Sequence, residues 1–361
     1  MKKVYIILQN GRVFEGKTFG AEDRVVGEIV FSTSMTGYLE ALTDPRYYGQ
    51  ILVQTFPLIG NYGIIEEDFQ SEKVYPAAYV VREYCDMPSN YRCESDIDSW
   101  FKKKGIVGVY GIDTRALTEA IREYGVMNAI ITDEAPEPVI PAELLTYAIK
   151  DSTAAVTCKE KTVYAAKDAS LSVALYDFGV TKSVIDSLLP VGCSVTRFPA
   201  STPAEEILEG GFDGVLLSAG PGNPAENMEY ILEIRKLIGK TPIFAMGIGH
   251  QMLAIAAGAK TSKLKYGHRG ANQPVRDLKS GKVNITSQNH GYVVNPDILP
   301  YYASVRFINA NDGTVEGLEY KDMYALSIQF SHDACSGPRG SGYLYSEFVD
   351  LMKEFKAKEG K

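Results

Sequence analysis

Residues 241–260 carry a pattern that is typical of a site for a catalytic nucleophile. An apolar run at 242–246 leads into small residues, and apolar side chains then recur at helical spacing. A strand, a tight turn and a helix in this order form a nucleophile elbow, which raises one side chain beside helix amides that can stabilise an oxyanion. The position of that side chain is Gly247. The sequence therefore predicts an elbow without a nucleophile.

Three other polar segments could contribute to a site beside the elbow. Residues 219–224 follow a predicted strand, and Gly220 and Gly222 would let backbone amides approach a ligand closely. The alternative is an ordinary tight turn between a strand and a helix. Residues 287–292 are polar as well, and the alternative to a site there is a turn with a satisfied histidine. Residues 267–272 are also polar, and their alternative is a surface loop.

These segments together resemble the class I glutamine amidotransferases. They read, in order, GPGNP, PIFAMGIGHQ, GHRGAN, SQNHG and IQFSHDA, with spacings that match that family. In the first half, the segments that resemble the N-terminal domain of the small subunit of carbamoyl-phosphate synthetase are STSMTGYLEALTDP, PLIGNYG and GIDTRALT. The resemblance covers nearly the whole chain. It implies an α/β protein, with an N-terminal β-rich α/β domain and a C-terminal class I glutamine amidotransferase domain whose mostly parallel sheet is flanked by helices.

The resemblance also implies an activity and a partner. In that family the small subunit hydrolyses glutamine through a cysteine thioester, with a histidine that activates the cysteine and a glutamate that orients the histidine. The ammonia passes through an internal tunnel to a large subunit, which uses ATP and bicarbonate to make carbamoyl phosphate. We therefore expect a large-subunit partner, in a heterodimer or a larger assembly, and glutamine as a candidate ligand. ATP and a divalent metal are expected on the large subunit, with no cofactor and no metal in this chain.

The chain departs from the family where the chemistry takes place. The cysteine position is Gly247, the histidine position is Ser331, and the glutamate position is Asp333. Arg46, in TDPRY, stands where the family uses a serine to touch glutamine. Losing the members of such a catalytic unit costs about a million-fold in turnover. The sequence therefore predicts that glutamine hydrolysis has been lost.

No neighbouring residue is expected to replace the lost groups. His332 is one residue from the histidine position, and in an extended segment it would point to the opposite face. Cys335 and Cys193 do not lie on the elbow, and His250, which opens the elbow helix, is expected to be structural. Gly247 itself suits the turn, because glycine adopts a strained elbow conformation at less cost than other residues.

The other ligand-facing positions of the family hold residues that could still contact glutamine. By motif matching they are Gly220, Gly222, Ile248, Gln251, Asn289, Gly291 and Tyr292. These seven residues are compatible with residual binding of a ligand. The bulky cation of Arg46, in contrast, would block or refill the glutamine pocket that the resemblance implies.

Three hypotheses for the function follow. The favoured one is a carbamoyl-phosphate synthetase small subunit without glutaminase activity, which supports synthesis from ammonia for arginine or pyrimidine biosynthesis. The second is a non-catalytic ligand-binding or regulatory protein outside the complex. The third, an active glutaminase, would need a nucleophile near Gly247, and the sequence offers none.

Composition limits the partners and the compartment. The chain has 361 residues, of which 45% are hydrophobic and 23% charged, so two folded domains are expected. The net charge of −8 argues against nucleic acid or an anionic membrane as the main partner. Five scattered cysteines without a CxxC pair fit reduced thiols in a cytoplasmic protein.

The elements that would position the site divide the chain in three. Residues 1–150 are β-rich, with a hairpin signal at Asn10-Gly11 and a helix that Asp113 or Thr114 can cap, and we expect this domain to dock on the large subunit. Residues 151–170 are predicted to be a connector. In residues 171–361, strands alternate with helices up to the elbow, which favours a parallel sheet with helices on both faces.

Overall fold

The structure is a computed structural model and describes residues 2–331 and 342–359. The chain divides into two compact units, Met1–Lys150 with Lys265–Gly270, and Asp151–Leu264 with Ala271–Lys361. In the part of the chain that the structure describes, no helix is long and apolar enough to cross a membrane.

The first unit is built from short strands and four helices among its described residues. The strands are β1 (Lys3–Leu8), β2 (Val13–Gly20), β3 (Val25–Ser32), β4 (Gln50–Gln54), β5 (Leu58–Ile59), β6 (Ala78–Val80), β7 (Glu83–Tyr84), β8 (Val107–Tyr110) and β9 (Met127–Thr132). The helices are α1 (Tyr38–Leu42), α2 (Ile97–Lys104), α3 (Thr114–Tyr124) and α4 (Ala142–Thr146).

Seven of these strands close into a barrel in the order β1-β2-β8-β6-β4-β3-β9. The predicted hairpin at Asn10-Gly11 is confirmed, because β1 pairs antiparallel with β2 and Gly11 has a φ of +83°. The alternation Val4, Ile6, Leu8 puts apolar side chains of β1 into the buried core, as the period of two requires. The predicted cap is also confirmed, with the Asp113 side chain accepting from the Ala116 amide.

The second unit contains one large sheet and the helices that cover it. Its strands are β10 (Thr162–Tyr164), β11 (Leu171–Asp177), β12 (Cys193–Pro199), β13 (Gly214–Leu217), β14 (Ile243–Met246), β15 (Thr261–Asp277), β16 (Val283–Val294), β17 (Ala303–Asn309), β18 (Val315–Tyr320) and β19 (Ala325–Ile328). Its helices are α5 (Ser152–Val156), α6 (Lys182–Leu188), α7 (Ala204–Glu209), α8 (Met228–Leu237), α9 (Ile248–Ala256) and α10 (Tyr343–Glu359). Strand β15 runs through Lys265–Gly270, which group with the first unit.

The strand order in this sheet is β10-β12-β11-β13-β14-β19-β18-β17-β15-β16. The five central strands from β12 to β19 pair in parallel, and antiparallel strands extend the sheet on both sides. Successive residues of β11 contribute to two different cores: Tyr176 packs in the cluster that includes α7, α8 and α9, and Leu175 packs in the cluster that includes α6 and α10. Both faces of the sheet are therefore covered by helices.

Residues 151–170, which we predicted to be a connector, contain the helix α5 and the strand β10. Strand β10 pairs with β12, with Val163 opposite Thr196, so this segment forms the edge of the large sheet. Its low hydrophobic periodicity reflects this edge position, where Val163 is exposed.

Candidate functional site

Gly247 lies at the end of β14 and precedes the first residue of α9, as the elbow pattern predicts. Its φ of +54° and ψ of −118° fall where residues with a side chain are strained. The Gly247 amide donates to the Ile328 carbonyl at 2.9 Å, and its carbonyl accepts from the Gln251 amide. The sharp strand-to-helix turn is thus kept, and glycine adopts it cheaply.

The space above Gly247 is narrow. A Cβ atom placed on Gly247 would lie 2.8 Å from the Cβ of Ala219, which is closer than ordinary van der Waals contact. Ala219 follows Ser218, whose carbonyl accepts from the Gly249 amide in the first turn of α9. A side chain at the nucleophile position would therefore push against the neighbouring glycine-rich loop.

The glycines of this loop have a packing role. A Cβ on Gly220 would lie 1.9 Å from the Phe178 carbonyl oxygen, and one on Gly222 would lie 2.0 Å from the Ser152 hydroxyl oxygen. The Ser152 hydroxyl donates to the Pro221 carbonyl at 3.3 Å. Close approach of other parts of the protein thus explains both glycines, and binding of a ligand by their amides stays a prediction.

His250 is buried inside the protein at the start of α9. Its Nδ1 lies 2.7 Å from the Ser327 hydroxyl, and its Nε2 has no hydrogen-bond partner among residues 2–331 and 342–359. Burial is the main reason why the pKa of His250 is lowered to about 3. The charge of Glu316 raises this pKa, and His290 lowers it by a smaller amount. The imidazole is neutral at physiological pH and fully enclosed, which suits a structural role.

This burial predicts a pH-dependent stability. The unfolded chain protonates this imidazole below about pH 6.5 and the folded chain does not, so stability present above pH 6.5 is lost as the pH falls toward about 3. Each pH unit in that window lowers the free energy of unfolding by about 1.4 kcal/mol, which amounts to about 2 kcal/mol at pH 5.

We expect urea unfolding to show that His250→Gln removes this contribution. Between pH 7.5 and pH 5 the free energy of unfolding of wild type should fall by about 2 kcal/mol more than that of the variant. An unchanged difference would contradict a neutral His250.

His290 and Glu316 form a second buried pair. The Nε2 atom of His290 lies 3.5 Å from a carboxylate oxygen of Glu316 and 3.2 Å from the Gln288 side-chain oxygen. The Nδ1 atom lies 2.9 Å from the Tyr292 carbonyl. Glu316 is completely buried on β18. The histidine of the SQNHG segment is therefore occupied by interactions inside the protein.

Gln251 links the elbow helix to two strands. Its side-chain amide donates to the Tyr292 carbonyl at 2.7 Å and to the side-chain oxygen of Gln329 at 2.6 Å. Gln251 is almost completely buried, and so is Ile248. Asn289, Gly291 and Tyr292 are half-buried on β16. Their predicted contacts with glutamine stay predictions.

Ser331 follows β19, the strand that pairs in parallel with β14. Its amide donates to the Ser287 carbonyl at 2.8 Å, and the residue is buried. Because β14 and β19 are neighbours, Gly247 and Ser331 both follow the carboxyl ends of adjacent strands. Asp333, His332 and Cys335 lie outside the described residues.

The other cysteines of this unit are unsuited to replace the missing thiol. Cys193 is buried at the first residue of β12, opposite the strand ends that carry the elbow, and burial raises the pKa of its thiol to about 11. Cys158 is half-buried, and burial together with Asp177 raises its pKa to about 11. Neither thiol is activated.

Arg46, in the first unit, is bound by a neighbouring carboxylate. It lies in a short 3-10 helix, Pro45–Tyr47, whose cap is Asp44. The Nε atom of Arg46 donates to both Asp44 oxygens at 2.9 Å, and its Nη2 atom lies 2.8 Å from one of them. The guanidinium thus folds back on its own turn.

The elbow offers helix amides that could bind a negatively charged oxygen, without a side chain at the nucleophile position. Sequence reasoning missed the buried partners Ser327, Gln329 and Glu316. The sequence carries no signal for Glu316, because β18 reads VEGLEY and contains a second glutamate, Glu319, that is only partly buried.

Comparison with known proteins places both units in one family. A family model for the carbamoyl-phosphate synthase small chain, CPSase domain, matches residues 6–131, and one for glutamine amidotransferase class-I matches residues 174–351. The second match confirms the predicted amidotransferase type of fold.

Whole-length relatives lead to the same assignment. The carbamoyl phosphate synthase small chain of Clostridium perfringens (strain 13 / Type A) is 45% identical over 348 residues, which cover 96% of this chain and 99% of that protein. Proteins with the same description from Syntrophotalea carbinolica and Staphylococcus epidermidis (strain ATCC 12228) are each 44% identical. Each match covers 99% of this chain. The matches also cover 100% of the Syntrophotalea carbinolica protein and 98% of the Staphylococcus epidermidis protein. The chain belongs to the carbamoyl phosphate synthase small chain family.

Proposed function

We propose that this chain is a carbamoyl phosphate synthase small subunit that does not hydrolyse glutamine. In this proposal it docks on a large subunit and supports synthesis of carbamoyl phosphate from free ammonia, in arginine or pyrimidine biosynthesis. ATP and the divalent metal are bound by the large subunit, and this chain contributes no cofactor.

The observation that carries the proposal is Gly247 in an intact elbow. Thioester formation needs a thiolate, a base within hydrogen-bond reach and an oxyanion site. The turn that would present the thiol keeps its conformation, and the residue presented has no side-chain atom. The histidine position is a serine, Ser331, which cannot act as a base at neutral pH. Loss of such a unit lowers turnover by about a million-fold.

The first unit supports a role inside the complex. It keeps a closed barrel and matches the family model over residues 6–131. A protein that only bound a small ligand through the amidotransferase unit would not require this barrel. The alternative is a ligand-binding or regulatory pseudo-amidotransferase outside the complex.

The test is carbamoyl phosphate synthesis by the cognate large subunit, with and without this chain, from ATP, bicarbonate and either glutamine or ammonium. We expect synthesis from ammonium alone, and a higher rate or greater stability of the large subunit when this chain is present. The matched control is the double variant Gly247→Cys/Ser331→His in the same assay. Synthesis from glutamine by the unchanged chain would refute the loss of hydrolysis, and absence of association would favour the alternative.

A further inference from the structure

Cys85 and Cys93 of the first unit border the same turn. Residues 60–63 form this turn, in which the Gly63 amide donates to the Gly60 carbonyl at 3.0 Å. A Cβ on Gly60 would lie 3.6 Å from the Cys85 amide nitrogen, and a Cβ on Gly63 would lie 2.3 Å from the Cys93 sulfur. Since the two ends of such a turn lie within about 7 Å of each other, both cysteines lie at one small site.

The phenol of Tyr38 lies at the same turn. Its hydroxyl donates to the Gly63 carbonyl. Burial is the main reason why the pKa of Tyr38 is raised, and Tyr62, Cys93 and Cys85 each raise it further through their charges.

The segment between the two cysteines lies mostly at the surface. Residues 86–92 are mostly exposed, and Met87 and Tyr91 are 82% and 95% exposed. Both cysteines are half-buried and are not in a disulfide. Closing a disulfide needs Cα atoms about 4.4–6.8 Å apart. The loop is held by the Ser89 amide, which donates to the Asn61 carbonyl at 3.0 Å, and by Arg92, which pairs with Asp68 at 2.9 Å, and a shift of the loop must accommodate these two contacts.

We propose that Cys85 and Cys93 form a reversible disulfide that fastens the loop 86–92 to the turn at 60–63. The oxidant is a low-molecular-weight disulfide of the glutathione class. One thiolate attacks it and releases a first small thiol, and the second thiolate then displaces a second small thiol from the mixed disulfide. Two protein thiols are oxidised, two electrons reduce the small disulfide, and the protons pass to the released thiols.

The test is native oxidation of the full chain by oxidised glutathione, followed by acid quenching, trypsin digestion and mass spectrometry. Arg82, Arg92 and Lys102 place the two cysteines in separate tryptic peptides, 83–92 and 93–102. We expect these peptides joined by a bond that dithiothreitol breaks. The joined pair should be absent from Cys93→Ser and present in Cys158→Ser, which removes a half-buried thiol of the other unit.

A thermal measurement checks that the bond forms in the folded protein. Closing a loop of this length should raise the Tm of oxidised wild type by about 5 °C relative to reduced protein, with no rise in Cys93→Ser. Glutathione adducts on either cysteine without the joined pair, or no reaction of either thiol, would overturn the proposal. These outcomes require neither glutamine nor a large subunit, so they are independent of the test of the proposed function.

Discussion

We expect the double variant Gly247→Cys/Ser331→His to release ammonia from glutamine at least about a thousand-fold faster than the unchanged chain. The first substitution places a thiol on the elbow, and the second places a base after the adjacent strand. The backbone at Gly247 already has φ +54° and ψ −118°, so the turn does not have to be rebuilt. Glutaminase rate, measured as amide nitrogen released, checks the prediction.

The single variants are the matched controls. Members of a catalytic unit act together, and each alone leaves turnover near the background. We therefore expect Gly247→Cys and Ser331→His to differ from the unchanged chain by less than about ten-fold. An equal rate in the single and double variants would show that the thiol and the imidazole do not meet.

The introduced side chain should also cost stability. The positive φ at Gly247 and the 2.8 Å approach to Ala219 are expected to destabilise Gly247→Cys by about 1–3 kcal/mol. Adding Ala219→Gly removes the 2.8 Å contact with the Ala219 Cβ but keeps the 3.2 Å approach to the Cα of residue 219 and the backbone strain, so it should recover part of that loss. Urea unfolding of these variants separates a poorly folded protein from an inactive one.

The second large effect is expected at Asp177, the last residue of β11. Its carboxylate is fully buried and accepts from the amides of Gly179 and Val180 at 2.9 and 2.8 Å, and from the Cys158 amide. The Nε atom of Arg197 also donates to it at 2.9 Å. We expect Asp177→Ala to lower the free energy of unfolding by about 3–5 kcal/mol, because the charge of Arg197 and three amides lose their acceptor.

The effect of Asp177→Ala should reach the glycine-rich loop. Asp177 orients the turn that contains Phe178 and Gly179, and Gly220 packs directly against both residues. The control is Asp186→Ala, which removes an exposed carboxylate of α6 and should change stability by less than about 0.5 kcal/mol. Equal unfolding midpoints for the two variants would contradict the role assigned to Asp177.

The sequence predicted the elements that depend on local signals. The hairpin at Asn10-Gly11, the cap at Asp113 and the turn at Gly247 each follow from residues close together in the chain. The closure of β1 against β9 was not predicted, since it pairs residues far apart in sequence. Strand β10 was missed because an exposed edge strand of three residues carries no apolar alternation.

The polar interior of the site was predicted only in part. Resemblance indicated Gln251 and Tyr292, and the structure shows that the Gln251 amide donates to the Tyr292 carbonyl and to Gln329. The pairing of His290 with Glu316 brings together β16 and β18, which lie apart in the sheet order. A buried pair of this kind depends on tertiary packing, and neither partner identifies the other from sequence spacing.

The most direct test of the central claim is release of labelled ammonia from amide-¹⁵N glutamine by the purified, unchanged chain in complex with its large subunit. The absence of a nucleophile at Gly247 predicts a rate indistinguishable from that of glutamine in buffer, while synthesis from added ammonium continues. Labelled ammonia formed at a rate proportional to the concentration of this chain would contradict the claim, because it would require a nucleophile or base that the described residues do not place at the elbow.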